Sequence, residues 1–255
     1  MAEVHFSSLS DRWTSAENND AFCAEKIANY QVFGVAEGLS DQPSGSSASG
    51  IAIASLREAV QGPAQAPGEI LIAAIHGSER RIAAQAGDSR TTARGATHLS
   101  AGLIDDALEC TILDTGEGNA YLIGPDGIQA PGEHMAQGTP ASQGGLSRSN
   151  SNNKNLTEII THTLGEPHLL KQSDIVTVSL RDRFLLLSSG GLHDFVSKER
   201  IAEIVLRNGE NVETSCEQLL QEAQSAGSEK TITIVLVHGH RHRSHMGGVK
   251  SDRVP

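Results

Sequence analysis

The chain has 255 residues, a length sufficient for one domain with a buried core, which excludes a disordered protein. Its 31 acidic and 20 basic residues give a formal net charge of −11, which disfavours nucleic acids and anionic membranes as partners. The 3 cysteines are too widely spaced for a disulfide framework, and without an apolar run of roughly 20 residues the sequence predicts a cytoplasmic protein.

The first part of the chain predicts a β-hairpin followed by two helices. Short apolar runs favour strands at 20–26 and 30–36, and a Gly/Ser-rich stretch follows at 38–50. Apolar residues at helical spacing predict helices at 51–60 and 69–85, separated by the breaker sequence GPAQAPG. We interpret the Gly/Ser-rich stretch as a flexible loop that leads into the first helix.

The remaining elements are mostly short strands in a meander. In chain order they are strands at 98–105, 108–115 and 119–127, a helical turn at 157–165, strands at 173–180 and 183–189, helices at 197–209 and 212–227, and a last strand at 230–238. The polar residues 128–155 predict a long surface flap. We therefore predict one domain over residues 1–238.

The last residues, HGHRHRSHMGGVKSDRVP, hold four of the 11 histidines. Alternating histidines are a metal-binding pattern, but beyond a last strand they are more typical of a disordered end. We predict a disordered tail at 239–255 and assign it no function.

Five segments, all in one order along the chain, carry a family resemblance. They are FGVAEGLSD, NAYLIGPDG, LTEIITHTLG, FLLLSSGGLHDFVS and GSEKTITIVLV. Together they resemble the metal-dependent protein phosphatases of the PPM family, the protein phosphatase 2C type, over most of residues 10–238. The order of strands and helices by itself indicates only an α+β sandwich.

The resemblance implies a fold and a chemistry. The expected fold is α+β, a four-layer α/β/β/α sandwich of two antiparallel sheets flanked by helices. In the family, aspartates at one edge of the sandwich hold two divalent ions, and a metal-bound hydroxide attacks phosphoserine or phosphothreonine. Carboxylates suit this task because Mn²⁺ and Mg²⁺ prefer hard oxygen ligands, and two close ions activate water and neutralise phosphate charge.

Four metal-site residues are implied by alignment with the family motifs. Asp20 corresponds to the second acid of an N-terminal pair, and Asp194 to a retained aspartate. Glu37 and Gly38 correspond to a central Asp-Gly whose carboxylate bridges the ions and whose carbonyl binds one. The alternative is purely structural, with Asp20 capping a turn and Asp194 preceding a helix; we interpret the adjacent His193 as a surface residue.

Two further metal positions are substituted. Gly190 stands where the family has an aspartate, and Lys230 replaces the last aspartate. The four principal positions thus carry a formal charge of −1 in place of −4, which predicts either no cofactor or weakly bound Mn²⁺ or Mg²⁺. We predict that the Lys230 ammonium substitutes for an ion and pairs with Glu37 or Asp20; the alternative is that it points to solvent.

Other family positions are less informative. The family's phosphate-binding arginine aligns with Ser15 in this sequence, so no phosphate-binding residue is assigned. Glu133 and His134 correspond only weakly to a family Asp-His pair, and we interpret His134 as a surface residue. Residues 87–90 spell the family signature GDSR but follow a helix, and we place its counterpart at 116–121.

The substitutions favour a catalytically impaired phosphatase that binds a phosphoprotein or another protein partner, with no nucleic acid and no membrane involved. The alternative is an active serine/threonine phosphatase that uses one ion on Glu37, the Gly38 carbonyl, Asp20 and Asp194. An unrelated small-molecule site far from Glu37 is a third interpretation. The acidic chain and the polar flap at 128–155 suggest that a basic partner segment docks there.

Overall fold

The computed structural model of the chain describes residues 2–15, 17–39, 43–63, 65–86, 96–116, 120–131, 164 and 175–241. Within these residues the strands are β1 (Ala2–Asp11), β2 (Ala21–Ile27), β3 (Tyr30–Gly38), β4 (Thr97–Ile104), β5 (Glu109–Asp114), β6 (Ala120–Gly124), β7 (Gly127–Gln129), β8 (Ile175–Ser179), β9 (Arg183–Ser188) and β10 (Ile232–Arg241). They form two antiparallel five-stranded sheets, in the orders β1-β10-β9-β6-β7 and β2-β3-β4-β5-β8.

Helices cover the outer faces of both sheets. They are α1 (Pro43–Gln61), α2 (Pro67–Ala86), α3 (Gly190–His193), α4 (Lys198–Asn208) and α5 (Val212–Ser225). Buried residues of α1 and α2 share one core cluster with β3 and β4, whereas buried residues of α4 and α5 share another with β9 and β10. This arrangement confirms the predicted α/β/β/α sandwich.

The central strands are apolar on both faces because each lies between two layers. In β3, Val32 and Ala36 belong to the core under α1 and α2, while Phe33 and Val35 belong to the core between the sheets. Period-2 alternation of side chains thus sends buried residues both ways. This explains the continuous apolar runs of β3, β9 and β10 in a chain with only 3% aromatic residues.

The first helix begins earlier than predicted. The Gly/Ser-rich stretch at 38–50 was expected to be a flexible loop, but α1 starts at Pro43 and includes residues 43–50. The Ser49 hydroxyl donates a hydrogen bond of 2.7 Å to the carbonyl oxygen of Asn19, and Ala48 is fully buried. Small side chains let this end of the helix approach the sheet closely, so packing overrides the weak helix propensity of Gly and Ser.

Strand β1 was not predicted at all. Its sequence, AEVHFSSLSD, lacks a clean apolar alternation because it is an edge strand with only one sheet neighbour, β10. Ten residue pairs join it to β10, from Ala2 opposite Arg241 to Asp11 opposite Ile232. Pairing with the main chain of β10 therefore determines that these residues form a strand, although their side-chain pattern does not predict one.

Several boundaries differ from the predictions. β10 continues to Arg241, so residues 239–241 belong to a strand rather than to a tail. Strand β7 occupies the start of the predicted flap at 128–155. The rest of that flap beyond residue 131, most of the helical turn at 157–165 and the tail from 242 lie outside the described residues. Among the helices that the structure describes, none combines the length and apolar character needed to cross a membrane.

Candidate metal centre

Four chain segments meet at one edge of the sandwich and bring the predicted site residues together. Glu37 lies near the end of β3, Gly190 opens α3 directly after β9, and Lys230 precedes β10. Asp20 lies immediately before β2, and Asp194 caps the C-terminus of α3. Asp20 and Thr233, more than 200 positions apart, are joined by a hydrogen bond between the two sheets. Gly190 lies near Lys230 because β9 and β10 are sheet neighbours.

Asp20 is tied to β10 rather than exposed. Its Oδ2 accepts a 2.7 Å hydrogen bond from the Thr233 hydroxyl, which also lies 2.8 Å from the Ser10 hydroxyl. Burial raises the pKa of Asp20 to about 7, while hydrogen bonds from Thr233 and Ser189 limit the rise. The nearby Glu37 carboxylate raises this pKa further.

We expect Asp20→Asn to stabilise the protein above neutral pH. Since the folded-state pKa of about 7 exceeds the ordinary value of 3.8, folding favours the protonated acid. The protonated Asp20 side chain stabilises the folded state fully below about pH 4, and this stabilisation is lost as the pH rises to 7. The loss in the free energy of unfolding is on the order of 4 kcal/mol. An asparagine oxygen still accepts from Thr233. Urea denaturation at pH 5 and pH 8 measures the free energy of unfolding of the variant and of the unmodified protein. If that free energy changed between the two pH values by the same amount in both proteins, the prediction would be wrong. Asp106→Asn, in the exposed β4–β5 turn, is the control.

Glu37 uses its carboxylate to bind the start of α3. Its Oε2 accepts a 3.1 Å hydrogen bond from the Gly190 amide, and the N-cap residue Ser189 makes no side-chain capping bond of its own. A carboxylate at this position satisfies an amide that the short helix leaves without an internal partner. Glu37 therefore has a structural role that needs no ion.

Gly190 lies at the centre of the charged groups. A Cβ atom built on it would lie 2.9 Å from Glu37 Oε1, 3.0 Å from Asp194 Oδ2 and 3.5 Å from Lys230 Nζ. The missing side chain is thus what brings the two carboxylates and the ammonium to one small space. An aspartate here would add a third carboxylate to that space.

Lys230 turns into the site, but towards a different partner from those predicted. Its Nζ donates a 2.6 Å hydrogen bond to Asp194 Oδ2, a partner not predicted from the sequence, while the predicted pairing with Glu37 or Asp20 stays a prediction. The Asp194 carboxylate raises the pKa of Lys230 above its usual value, and Glu37 adds to the effect. The Asp194 side chain is 44% exposed, so this ion pair is in contact with water.

We expect the Lys230–Asp194 pair to contribute modestly to stability. The side chains are 55% and 44% exposed, and ion pairs in contact with water are worth about 0.2–1 kcal/mol. A double-mutant cycle with Lys230→Gln and Asp194→Asn should give a coupling energy in that range that shrinks in high salt. The matching cycle of Lys230 with Asp20 should be additive. Zero coupling in the first cycle would show that the contact is not maintained in solution.

Two neighbouring positions also differ from expectation. His193, interpreted as a surface residue, is only 13% exposed, with its Nε2 3.6 Å from Asp194 Oδ1. The Ser15 hydroxyl, at the position of the family's phosphate-gripping arginine, donates a 2.9 Å hydrogen bond to the Glu229 carbonyl oxygen. Ser15 therefore fastens the segment before Lys230 rather than presenting a cation to a phosphate.

The described residues do not offer the donor set that two divalent ions require. Each of the three carboxylates already accepts from a protein donor: Asp20 from Thr233, Glu37 from Gly190 and Asp194 from Lys230. No group of three or more His, Cys, Asp or Glu side chains in this part of the chain is arranged to hold a metal ion. An ammonium inside the site adds repulsion that a second cation would have to overcome. The family's two-ion pair does not fit these residues.

Some predicted positions cannot be compared. Glu133 and His134, the residues 87–90 and the middle of 116–121 lie outside the described residues. Sequence reasoning also missed Thr233 and Ser189, which hydrogen bond Asp20. Ser189 follows β9 and Thr233 lies at the start of β10, and neither residue belongs to a charged motif. A sequence pattern based on charge therefore does not mark them as site residues.

Comparisons with known proteins agree with this architecture. Residues 152–232 match the family model of protein phosphatase 2C, a range that includes Gly190, Asp194 and Lys230. Among curated proteins, no sequence matches the chain.

Three solved structures share the fold. The serine/threonine phosphatase PstP/Ppp of Mycobacterium tuberculosis is 22% identical, with a TM-score of 0.67 over 92% of this chain and 98% of that one. The catalytic domain of PstP in complex with 2 manganese ions is 21% identical, with a TM-score of 0.70 over 94% and 100% of the chains. PppA, described as a key regulatory component of T6SS in Pseudomonas aeruginosa, is 16% identical, with a TM-score of 0.70 over 92% and 97%. These solved structures therefore share the fold of this chain, and residues 152–232 are similar to the protein phosphatase 2C family model.

Proposed function

We propose that the protein is a catalytically impaired phosphatase that acts as a cytoplasmic, phosphoprotein-binding regulator. The observation that carries this proposal is the 2.6 Å contact between Lys230 Nζ and Asp194 Oδ2, beside a glycine where the family has a metal-binding aspartate. Two-metal hydrolysis depends on ions that bridge the attacking water and the phosphate. An internal ammonium can neutralise charge but cannot supply that water.

The position of Ser15 supports the same conclusion. A phosphate substrate of these enzymes is gripped by an arginine, and a bidentate guanidinium fork holds a phosphate in one orientation. Here the corresponding hydroxyl is engaged with the Glu229 carbonyl oxygen. The ions and the arginine that orients the phosphate for hydrolysis thus both lack their usual side chains. We therefore propose that a phosphoprotein binds through its flanking residues and the half-exposed Lys230 ammonium.

The charge of the chain bears on the kind of partner. A formal charge of −11 repels nucleic acids and anionic membranes and attracts basic protein segments. We therefore propose a phosphorylated protein whose phosphosite is flanked by basic residues. A regulatory role has a parallel in the fold, since PppA is described as a regulatory component.

A second candidate function is an active phosphatase that uses a single ion. One observation favours it: Glu37 Oε1 and Asp194 Oδ2 both lie about 3 Å from the point where a Gly190 side chain would begin. Two carboxylates facing one space could ligate one ion if Lys230 moved away. The Gly38 carbonyl and Asp20 would complete the set that the resemblance implies.

Hydrolysis and binding of one labelled peptide distinguish the two functions. The probe is a phosphothreonine peptide flanked by arginines, with its unphosphorylated form as the control. We expect phosphate-dependent binding in the presence of EDTA, measured by fluorescence anisotropy, and no release of phosphate with excess Mn²⁺. Mn²⁺-dependent release by the unmodified protein that disappears in Glu37→Ala would establish the one-ion enzyme instead.

A further inference from the structure

Three histidines gather on one face of the β1–β10 pair, far along the strand from Lys230. In the antiparallel register His5 lies opposite His238, and Glu3 lies opposite His240. Directly opposite residues point to the same face of a sheet, as do residues two apart in one strand. All three imidazoles therefore share the face of this sheet that also packs against α5.

The ring separations suit a shared ion. The His5 and His240 ring centres are 6.5 Å apart, and those of His238 and His240 are 5.9 Å apart. Imidazoles that share a tetrahedral ion at metal–nitrogen distances of about 2.0–2.1 Å have ring centres roughly 5–5.5 Å apart. The rings of His5 and His240 must therefore move by about 1 Å towards each other to share one ion.

His238 is an unusual core residue. It is only 6% exposed and stacks on Phe184 with ring centres 4.2 Å apart. Among the described residues its buried Nδ1 has no hydrogen-bond partner, a costly state for a polar atom that packing alone does not explain. Burial also lowers the pKa of His238, which keeps the ring neutral and able to donate a lone pair.

Glu210, in the turn between α4 and α5, orients His240. Its Oε1 lies 3.3 Å from His240 Nδ1. A ring whose Nδ1–H faces a carboxylate presents the Nε2 lone pair on its other side, which is the arrangement that metal-bound histidines usually have. Glu210 is thus a positioning residue for His240.

We propose that His5, His238 and His240 form a site for one divalent transition-metal ion of the Zn²⁺, Ni²⁺ or Cu²⁺ class, with Glu210 positioning His240. Imidazole ligands select these ions over Mg²⁺ and Mn²⁺. Among the described residues, the three imidazoles are not already arranged around one metal position, so binding of the ion requires the rings to move closer together. His5 can move because its side chain is 42% exposed. The ion would fasten the edge strand β1 to β10 and to the α4–α5 turn.

Calorimetric titration of the full chain with Zn²⁺ tests this proposal. We expect one equivalent to bind, to raise the melting temperature, and to bind at least about tenfold more weakly in His5→Gln. His76→Gln, an exposed histidine on α2, is the matched control and should bind like the unmodified protein. His5 is decisive because it lies more than 230 positions from the histidines of the C-terminal sequence.

A second variant separates the strand site from binding by the C-terminal histidines. His242→Gln/His245→Gln should keep the one-equivalent binding. Loss of binding in this variant, unchanged binding in His5→Gln, or no binding by the unmodified protein would each overturn the proposal. The metal-free melting temperature of His5→Gln should equal that of the unmodified protein, which excludes misfolding as the cause. None of these results depends on phosphatase chemistry at Lys230.

Discussion

The double variant Gly190→Asp/Lys230→Asp should be less stable than the unmodified protein without metal and should recover in Mn²⁺. The change makes the charge of the centre more negative by three, next to Glu37 and Asp194. Repulsion among carboxylates at this separation should lower the free energy of unfolding by roughly 2–4 kcal/mol. Once Lys230 is replaced, the atoms nearest a Cβ at position 190 are the terminal oxygens of Glu37 and Asp194. These side chains can rotate away, so the fold can accommodate the added aspartate.

Mn²⁺ should reverse this loss because the family's carboxylate set is then restored. At a free concentration of 100 times the dissociation constant, a ligand of the folded state stabilises by about 2.7 kcal/mol. Chemical unfolding with EDTA and with Mn²⁺ measures both effects. The unmodified protein is the matched control and should be indifferent to Mn²⁺. A double variant that Mn²⁺ does not stabilise would mean that this edge of the sandwich is not the old metal centre.

Gly191→Ala should be among the most damaging single substitutions in the chain. A Cβ on Gly191 would lie 2.0 Å from the Thr231 carbonyl oxygen and 2.8 Å from its carbon. Both are backbone atoms that precede β10, so no side-chain rotation can relieve the overlap. We expect a loss of about 3 kcal/mol or more in the free energy of unfolding, measured by urea denaturation.

Gly50→Ala is the matched control for this substitution. Gly50 lies within α1 on an exposed face, and nothing lies within 4 Å of a Cβ added there. The same chemical change should therefore stabilise the protein by about 0.5–1 kcal/mol, because glycine is a poor helix residue. If Gly191→Ala cost no more than a few tenths of a kcal/mol, the close contact between α3 and the start of β10 would be wrong.

Apolar periodicity predicted most of the helices and strands, whereas the four-layer arrangement followed from the family resemblance. The helices at 197–209 and 212–227 carry clear boundary signals, and in the structure α4 ends at Asn208 with Gly209, whose φ is 56°, as its C-cap residue. Residue patterns failed where the environment, not the residue, decides. Strand β1 is held by the β10 main chain, and the start of α1 is held by packing of Ala48 and Ser49.

The sequence predicted which residues lie together at the candidate metal centre, but not which of them contact one another. Motif order placed Glu37, Gly190 and Lys230 together, and the structure does so. The partner of Lys230 depended on how the four-residue helix α3 turns Asp194 towards β10, which no periodicity encodes. The raised pKa of Asp20 likewise follows from its burial beside Thr233, a neutral residue that charge patterns do not mark.

The most direct measurement of the central claim is Mn²⁺-induced broadening of backbone amide signals in a ¹⁵N-resolved NMR spectrum. A bound Mn²⁺ ion would broaden the amides nearest the centre, those of Gly38 and Gly190. The Lys230–Asp194 contact predicts that both signals stay sharp when two equivalents of Mn²⁺ are added. Selective loss of both signals at that ratio would show that the centre holds the ion, and that Lys230 does not take its place.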